Sequence, residues 1–372
     1  MTTSPGNAGI GEGIGEGIGA GAALAAAIEA HAQTIAEQIT TRQFADDPTL
    51  DKRFGARGRS KCTEDANRHL SYLATAAVAS SDKLFVDYVG WAKILLAKLN
   101  MPHGDLARNL TLMRIAVTNE LGTTHGAAAA RIIDAGLGAL PALPESRESF
   151  LSRGDSHADL ARRYLEMLVA GNRKAASTLV HSEVASGVSI HDIYIHIFQR
   201  TQYEIGRRWQ MNQMTVAEEH YCTAATQMIM SELYPQIFTT SRVGRRLVAA
   251  CVGGDLHEIG VRMVADFFEM AGWDTYYLGA NMPIQGILQA VEANDADVLA
   301  ISATMTYHVP VAAEVIRAVR SSDGASPQIL VGGYPFRVDT DLWRMIGADG
   351  CAADADTAVE LANSLVARTE HA

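Results

Sequence analysis

The 372-residue sequence is poor in cysteine. Its four cysteines (Cys62, Cys222, Cys251, Cys351) are far apart and form no C-x-x-C. A disulfide scaffold and a structural zinc site are therefore excluded, and a reducing, cytoplasmic setting is expected. Basic residues are in deficit, with 31 Lys and Arg against 42 Asp and Glu and a formal net charge of −11. Phosphate binding needs a dense cationic field, so nucleic acid is excluded as the main partner. Long apolar runs are missing as well. The most apolar early segment, Gly19 to Ile28, is short and made of Ala and Gly. It falls below the ~20 residues of a membrane span and lacks the basic start of a secretory signal. What remains is an ordinary globular mixture, 48% hydrophobic and 20% charged. At roughly 150 residues per domain it predicts two or three domains.

Residues 1–19 carry Gly at every second or third position and read as a flexible tail. Helical spacing then fills residues 20–140. One helix is expected over Thr63–Ala79, capped by Thr63, and another over Asp82–Leu99 with Leu84, Phe85, Tyr88, Trp91, Ile94 and Leu95 on its face. Pro141 and Pro144 mark a linker over 141–155. Residues 156–240 read as a four-helix bundle punctuated by Gly171, Gly187 and Asn212. From 245 to 372 short apolar runs, LVAACV, VLAIS and QILVGG among them, alternate with helices. That pattern predicts a doubly wound parallel sheet of flavodoxin or Rossmann type, so the fold class is α/β plus all-α. Ligands of such sheets sit beyond the carboxyl ends of the strands, where Gly253–Gly260, Ser302–Thr304 and Gly332–Gly333 fall.

The loop after the first strand reads Asp255-Leu256-His257-Glu258-Ile259-Gly260. Forty-one residues separate Gly260 from Ser302-Ala303-Thr304, and a further 27 separate Thr304 from Gly332-Gly333. The three segments and their spacing resemble the cobalamin-binding domain of corrinoid proteins, with its D-x-H-x-x-G, S-x-T and G-G signature. The resemblance implies His257 as the lower cobalt ligand and Asp255 as acceptor for its other ring nitrogen, fixing the tautomer. Gly260, Gly332 and Gly333 would let the backbone approach the displaced nucleotide tail, and Ser302 and Thr304 would bond it. A response-regulator-like domain with a coincidental histidine is the competing reading.

The bundle ahead of this domain holds Trp209, nine further residues, then Glu219-His220, with Val216 at a small apolar position. This resembles the W-x9-E-H cap of light-sensing adenosylcobalamin proteins of the CarH and LitR type. The resemblance implies an adenosyl group covered by Trp209 and bonded by Glu219. The sequence departs from that family at Gln210, where a histidine takes the upper cobalt position after photolysis. His220 or water is the expected substitute there, ahead of His181, His191 and His196.

No winged DNA-binding module is present in residues 1–150. Residues 20–140 are instead similar to the helical region of photocobilins, which bind biliverdin as well as cobalamin. That resemblance offers Arg57, Arg68 and His69 to bilin propionates and Tyr72, Tyr88 and Trp91 to its rings. A plain dimerisation domain, or haem through His69 or His103, are the other readings; Cys62 is read as a free buried thiol. The expectation is a light sensor, not an enzyme, in which loss of the adenosyl group alters homo-oligomer assembly and signals to a downstream partner. The alternatives are a corrinoid methyl carrier of a methyltransferase system, against which the E-H pair speaks, and a cobalamin storage protein.

Overall fold

The computed structural model describes residues 10–151, 157–322, 324 and 326–370. Five parallel strands, β1 (Arg246–Val252), β2 (Asp274–Met282), β3 (Val298–Ser302), β4 (Gln328–Gly332) and β5 (Gly350–Cys351), form one sheet in the order β2-β1-β3-β4-β5. This is a flavodoxin-like order, and its switch point lies between β1 and β3. Strand β1 is apolar from Leu247 to Val252 because both its faces are covered. Leu247, Ala249 and Cys251 face helices Ile259–Met270 and Ala355–Glu370, while Val248, Ala250 and Val252 face helices Ile284–Ala293 and Val309–Arg320.

Each side of this sheet layer carries a further helical layer. On one side stands the cap. Its helices are Ala158–Val169, Arg173–Ala185, Arg200–Gln210 (entered through the π-helical turn Ile193–Gln199) and Val216–Glu232. Gly171, Gly187 and Asn212 have positive φ and turn the chain between them. The cap core of Tyr164, Leu165, Tyr194, Phe198 and Ile229 continues into Met263 and Phe267 of the sheet domain.

On the other side pack the N-terminal helices Ile10–Asp46, Gly58–Val78, Asp82–Lys98, His103–Glu120 and Gly122–Ala139. Their core of Ile28, Ile35, Leu73, Phe85, Val89, Met113 and Ile133 is continuous with the back of the sheet. Two expectations are corrected here. The glycine-rich tail is helical from Ile10, continuous with the helix that runs on to Asp46; residues 1–9 of it lie outside the described residues. Thr63 does not start its helix, which begins at Gly58; its hydroxyl bonds back to the carbonyl of Arg59 at 3.0 Å.

A polar joint ties the N-terminal helices to the sheet domain. Asp339, 6% exposed, accepts from Ser81 Oγ at 2.6 Å and from Lys83 Nζ at 2.9 Å. Asp339→Ala leaves a buried hydroxyl without its acceptor. It should cost about 1–3 kcal/mol, read as a lower urea midpoint; an unchanged midpoint would assign the joint's stability to apolar contacts alone.

Candidate functional site

The β1 loop is built to present one imidazole. Gly254 has φ +84 and its N–H donates to Asn281 Oδ1 at 2.7 Å, while Asn281 N–H donates to the Asp255 carbonyl at 2.9 Å. The end of β2 thus holds the loop in place. Asp255 points inward and is 0% exposed. One carboxylate oxygen accepts from His257 Nδ1 at 2.9 Å and from His257 N–H at 3.0 Å, and the other accepts from Thr304 N–H at 2.7 Å. Burial by itself would raise the Asp255 pKa. Bonds from the His257 and His308 side chains and from the two backbone donors outweigh it and hold the carboxyl well below its usual range. The same bond from Asp255 raises the His257 pKa against a smaller opposing effect of burial. With Nδ1 committed, Nε2 is the nitrogen left to meet a ligand.

His257 opens into a cavity of about 610 Å³ between the cap and the carboxyl ends of the strands. Of the expected site residues, Trp209, Val216, Glu219 and His220 line its cap side, Gly260, Ser302, Thr304, Gly332 and Gly333 its sheet side, and Asp255 lies behind the wall. Glu219 and His220 reach the cavity because a capping box, Thr215 Oγ1 with Glu218 N–H at 3.2 Å and Glu218 Oε2 with Thr215 N–H at 2.8 Å, starts their helix one turn ahead. Glu219 lies 3.3 Å from His220 Nε2. Gln210 is buried and donates to the Trp91 carbonyl at 3.2 Å, away from the cavity.

The walls fit a large, partly apolar ligand. Leu256, 72% exposed, Val216, 53%, and Trp209, 38%, are apolar side chains open to one space, which marks a binding surface. Behind them the cavity runs between Val261, Val264, Ala300, Leu330 and Ala358, a slot of small and apolar walls. Gly333 (φ +118) forms part of it; a Cβ there would stand 2.1 Å from the Ala303 carbonyl oxygen, so no larger residue fits. The sequence reading missed Asn281 and His308, which brace the loop, and Tyr203, Tyr334 and Arg337, which line the cavity. A positive φ at Asn281 is invisible without the fold.

The residues offered to a bilin are placed differently from one another. Arg57 and Arg68 are exposed. His69 is buried and bonded through Nδ1 to Tyr88 OH at 2.7 Å. Burial, helped by Arg68, pushes its pKa down to about 4, so it is neutral at pH 7 and does not pair a propionate. Tyr72 stacks on Tyr88 at 3.7 Å and Trp91 follows at 6.2 Å, so the rings fill one another's faces. Cys62 is a free, half-buried thiol whose pKa is raised by burial.

Replacing Asp255 by Asn removes the charge that raises the His257 pKa. The raised value means that this pair stabilises the fold below the unfolded histidine pKa and that the stabilisation fades as pH rises through the folded value. In Asp255→Asn the His257 titration, followed by NMR, should move to lower pH; an unmoved titration would remove Asp255 as its cause.

Three family models match the chain: a B12 binding domain over residues 245–362, a second B12 binding domain over 160–234, and a Phycobilisome protein over 19–140. A corrinoid protein of Desulfitobacterium hafniense is 28% identical over 170 residues, covering 44% of this chain and 77% of that protein. Dimethylamine corrinoid protein 3 of Methanosarcina mazei is 29% identical over 171 residues, covering 44% of this chain and 99% of that protein. Among solved structures, the Methanosarcina barkeri monomethylamine corrinoid protein superposes with a TM-score of 0.50 at 20% identity, over 56% of this chain and all of that one, a likeness of fold. These findings overturn the expected light sensor: the relatives are corrinoid proteins, two of them named for methylamines, and none of those named is a photoreceptor. Among the described residues no helix is long and apolar enough to cross a membrane. The chain carries cobalamin-binding domains over 160–234 and 245–362, and a corrinoid is the cofactor they indicate.

Proposed function

We propose that this chain is a corrinoid methyl carrier, a component of a methyltransferase system without catalysis of its own. The carrying observation is the cavity-facing His257 with its Nδ1 fixed by buried Asp255. When bound, the corrinoid supplies a cobalt centre that accepts and releases methyl groups. His257 Nε2 would hold its lower face, and Asp255 keeps the imidazole in the tautomer that can do so. Gly332, Gly333, Ser302 and Thr304 would admit the nucleotide tail to the slot between β3 and β4. Trp209, Val216, Glu219 and His220, which line the cap side of the same cavity, would stand over the bound corrinoid.

Reconstitution with hydroxocobalamin and methylcobalamin tests this reading. The chain should bind cobalamin in the base-off, histidine-on form, and a methylamine–corrinoid methyltransferase should methylate the reduced holo-protein. His257→Ala should weaken binding about 10–100-fold and lose the histidine-on spectrum. Unchanged affinity and spectrum would remove His257 from the ligand role, and a parent that never accepts a methyl group would remove the carrier role.

A second reading concerns the upper ligand and the N-terminal helices. Trp209 and Glu219 line the same cavity as His257, which favours adenosylcobalamin as a form the pocket can hold. The family match over 19–140 favours a bilin such as biliverdin on the N-terminal helices. Trp209→Ala should remove any preference for adenosyl- over methylcobalamin, at about 1–2 kcal/mol. Mixing with biliverdin should produce far-red absorbance. Equal affinities in the parent, or no absorbance, would dismiss the respective half of this reading.

A further inference from the structure

One charge in the cavity wall is unmatched. Among the described residues that line the cavity, Arg337 is the only lysine or arginine. The acidic ones are Glu219, Glu258 and Asp354, and each is engaged elsewhere. Glu219 faces His220 Nε2 at 3.3 Å. Glu258 accepts from Gln227 Nε2 at 2.7 Å and from Tyr277 OH at 2.8 Å, and Asp354 accepts from Thr357 N–H at 2.9 Å. Asp339, two residues beyond Arg337, is taken by Ser81 and Lys83. Arg147, a cation nearby, donates to Tyr334 OH at 3.0 Å, and that hydroxyl donates to Asp87 at 2.8 Å, so its charge has a carboxylate close by. Among the described residues no carboxylate pairs with Arg337. Its side chain is nonetheless held. Nη1 donates to Tyr203 OH at 3.1 Å, and the guanidinium lies 5.6 Å from the centre of the same ring. Tyr203 packs on Phe150 at 5.4 Å, whose N–H donates to buried Glu204 at 3.0 Å. Phe336, 2% exposed, anchors the short helix Tyr334–Val338 that presents Arg337 directly after Gly333.

We propose that Arg337 is the anion contact of this cavity: it pairs the phosphodiester of the corrinoid's nucleotide loop, and it makes the site select corrinoids that carry the loop over truncated ones that lack it. The inference rests on the corrinoid part of the proposed function and not on methyl transfer. The chemistry of the ligand narrows the choice of group. The side chains of a cobalamin corrin end in neutral amides, and a methyl or adenosyl upper ligand is neutral as well. The phosphodiester is the one anionic side group. A wall with one unbalanced cation fits a ligand that brings one anion. Tyr203 OH takes a single N–H of the guanidinium, and the rest of the planar fork is free to meet two phosphate oxygens side by side. Because the Tyr203 ring already holds the long side chain, less rotamer freedom is lost when the anion arrives. The apolar slot between Val261, Val264, Ala300, Leu330 and Ala358 can grip a base but is blind to charge. The slot and Arg337 therefore read different parts of the same loop. Arg337 is exposed, so water screens its pairing, and the contact sets a preference rather than most of the affinity.

The test titrates the full chain with three corrinoids and follows the corrin absorbance. They are hydroxocobalamin, cobinamide, which lacks the nucleotide loop, and cobinamide phosphate, which regains the charge without the base. The parent should bind cobinamide phosphate about five- to twentyfold more tightly than cobinamide, and added salt should shrink that ratio. Arg337→Gln should bring the two affinities together by weakening the phosphate form alone, and hydroxocobalamin should lose a similar factor. Arg337→Lys, which keeps the charge without the fork, should keep part of the preference. The histidine-on spectrum should form with every corrinoid in every variant, since His257 is untouched. Equal binding of cobinamide and its phosphate by the parent, or an unchanged ratio in Arg337→Gln, would overturn the proposal. So would a parallel loss for all three corrinoids in both Arg337→Gln and Tyr203→Phe, which would make their contact a latch between cap and sheet domain. A parent that binds none of the three removes the corrinoid reading and this proposal with it, whereas binding without discrimination removes the proposal alone.

Discussion

A carboxylate that is fully buried and still charged governs the functional end of this molecule. Asp255 has no exposed surface, so its charge survives only because donors surround it. The cost of leaving it unpaired fixes the positions of everything that pairs it. The β1 loop must bring back the backbone and ring of His257, β3 must end where Thr304 N–H can reach, and β2 must extend far enough for Asn281 to brace the loop. Strand β2 is the longest of the five, and its carboxyl end is the part that carries Asn281. Register and loop shape at the switch point thus follow from satisfying one anion.

How much of this could be read in the sequence varied with the range of the interactions. The parallel sheet was legible because buried strands are written as unbroken apolar runs, such as LVAACV, separated by helices of regular length. The pairing of Asp255 with His257 was legible because the two residues are neighbours in one loop. His308 lay beyond reach because its partner is 53 residues earlier in the chain, and only the β3 crossover brings them together. The helix from Gly58 was misread for a local reason. Thr63 resembles a cap in sequence, but with a helix already formed its hydroxyl finds the carbonyl four residues back. The aromatic positions Tyr72, Tyr88 and Trp91 share helix faces in sequence, yet whether they leave a slot or close on one another is decided by packing between helices.

The light-sensor expectation shows how far a cap motif can be carried. Trp209, Glu219 and His220 stand where that motif would put them, around the upper side of one cavity. Their chemistry is an aromatic face, a carboxylate and an imidazole above an apolar floor. That set can contact an adenosyl group, but it equally shields a reactive metal centre from water, which a methyl carrier also needs. Side chains that meet a ligand do not by themselves say what becomes of it. The corrinoid relatives favour the carrier over the sensor where the pocket leaves the two equivalent, and Gln210, turned away to bond Trp91, had already set this cap apart from the sensor pattern.

The N-terminal helices touch both the cap side of the cavity and the turn after β3, and that placement constrains whatever they do. Trp91 lies against Trp209 at 6.3 Å on the upper side, and Tyr72 lies against Tyr307 at 6.3 Å beside the lower-ligand network. Tyr88 joins the two by stacking on Tyr72 and Trp91. Helices Gly58–Val78 and Asp82–Lys98 therefore reach from Trp209 on the cap side of the cavity to Tyr307 in the turn after β3. A displacement of the cap that tilts Trp209 is resisted by the same ring stack that braces the His308 turn, because packed aromatic faces do not slide freely. Coupling between the upper and lower faces thus has a physical route outside the cofactor, through a domain that the M. mazei dimethylamine corrinoid protein, matched over nearly its whole length by under half of this chain, leaves unmatched.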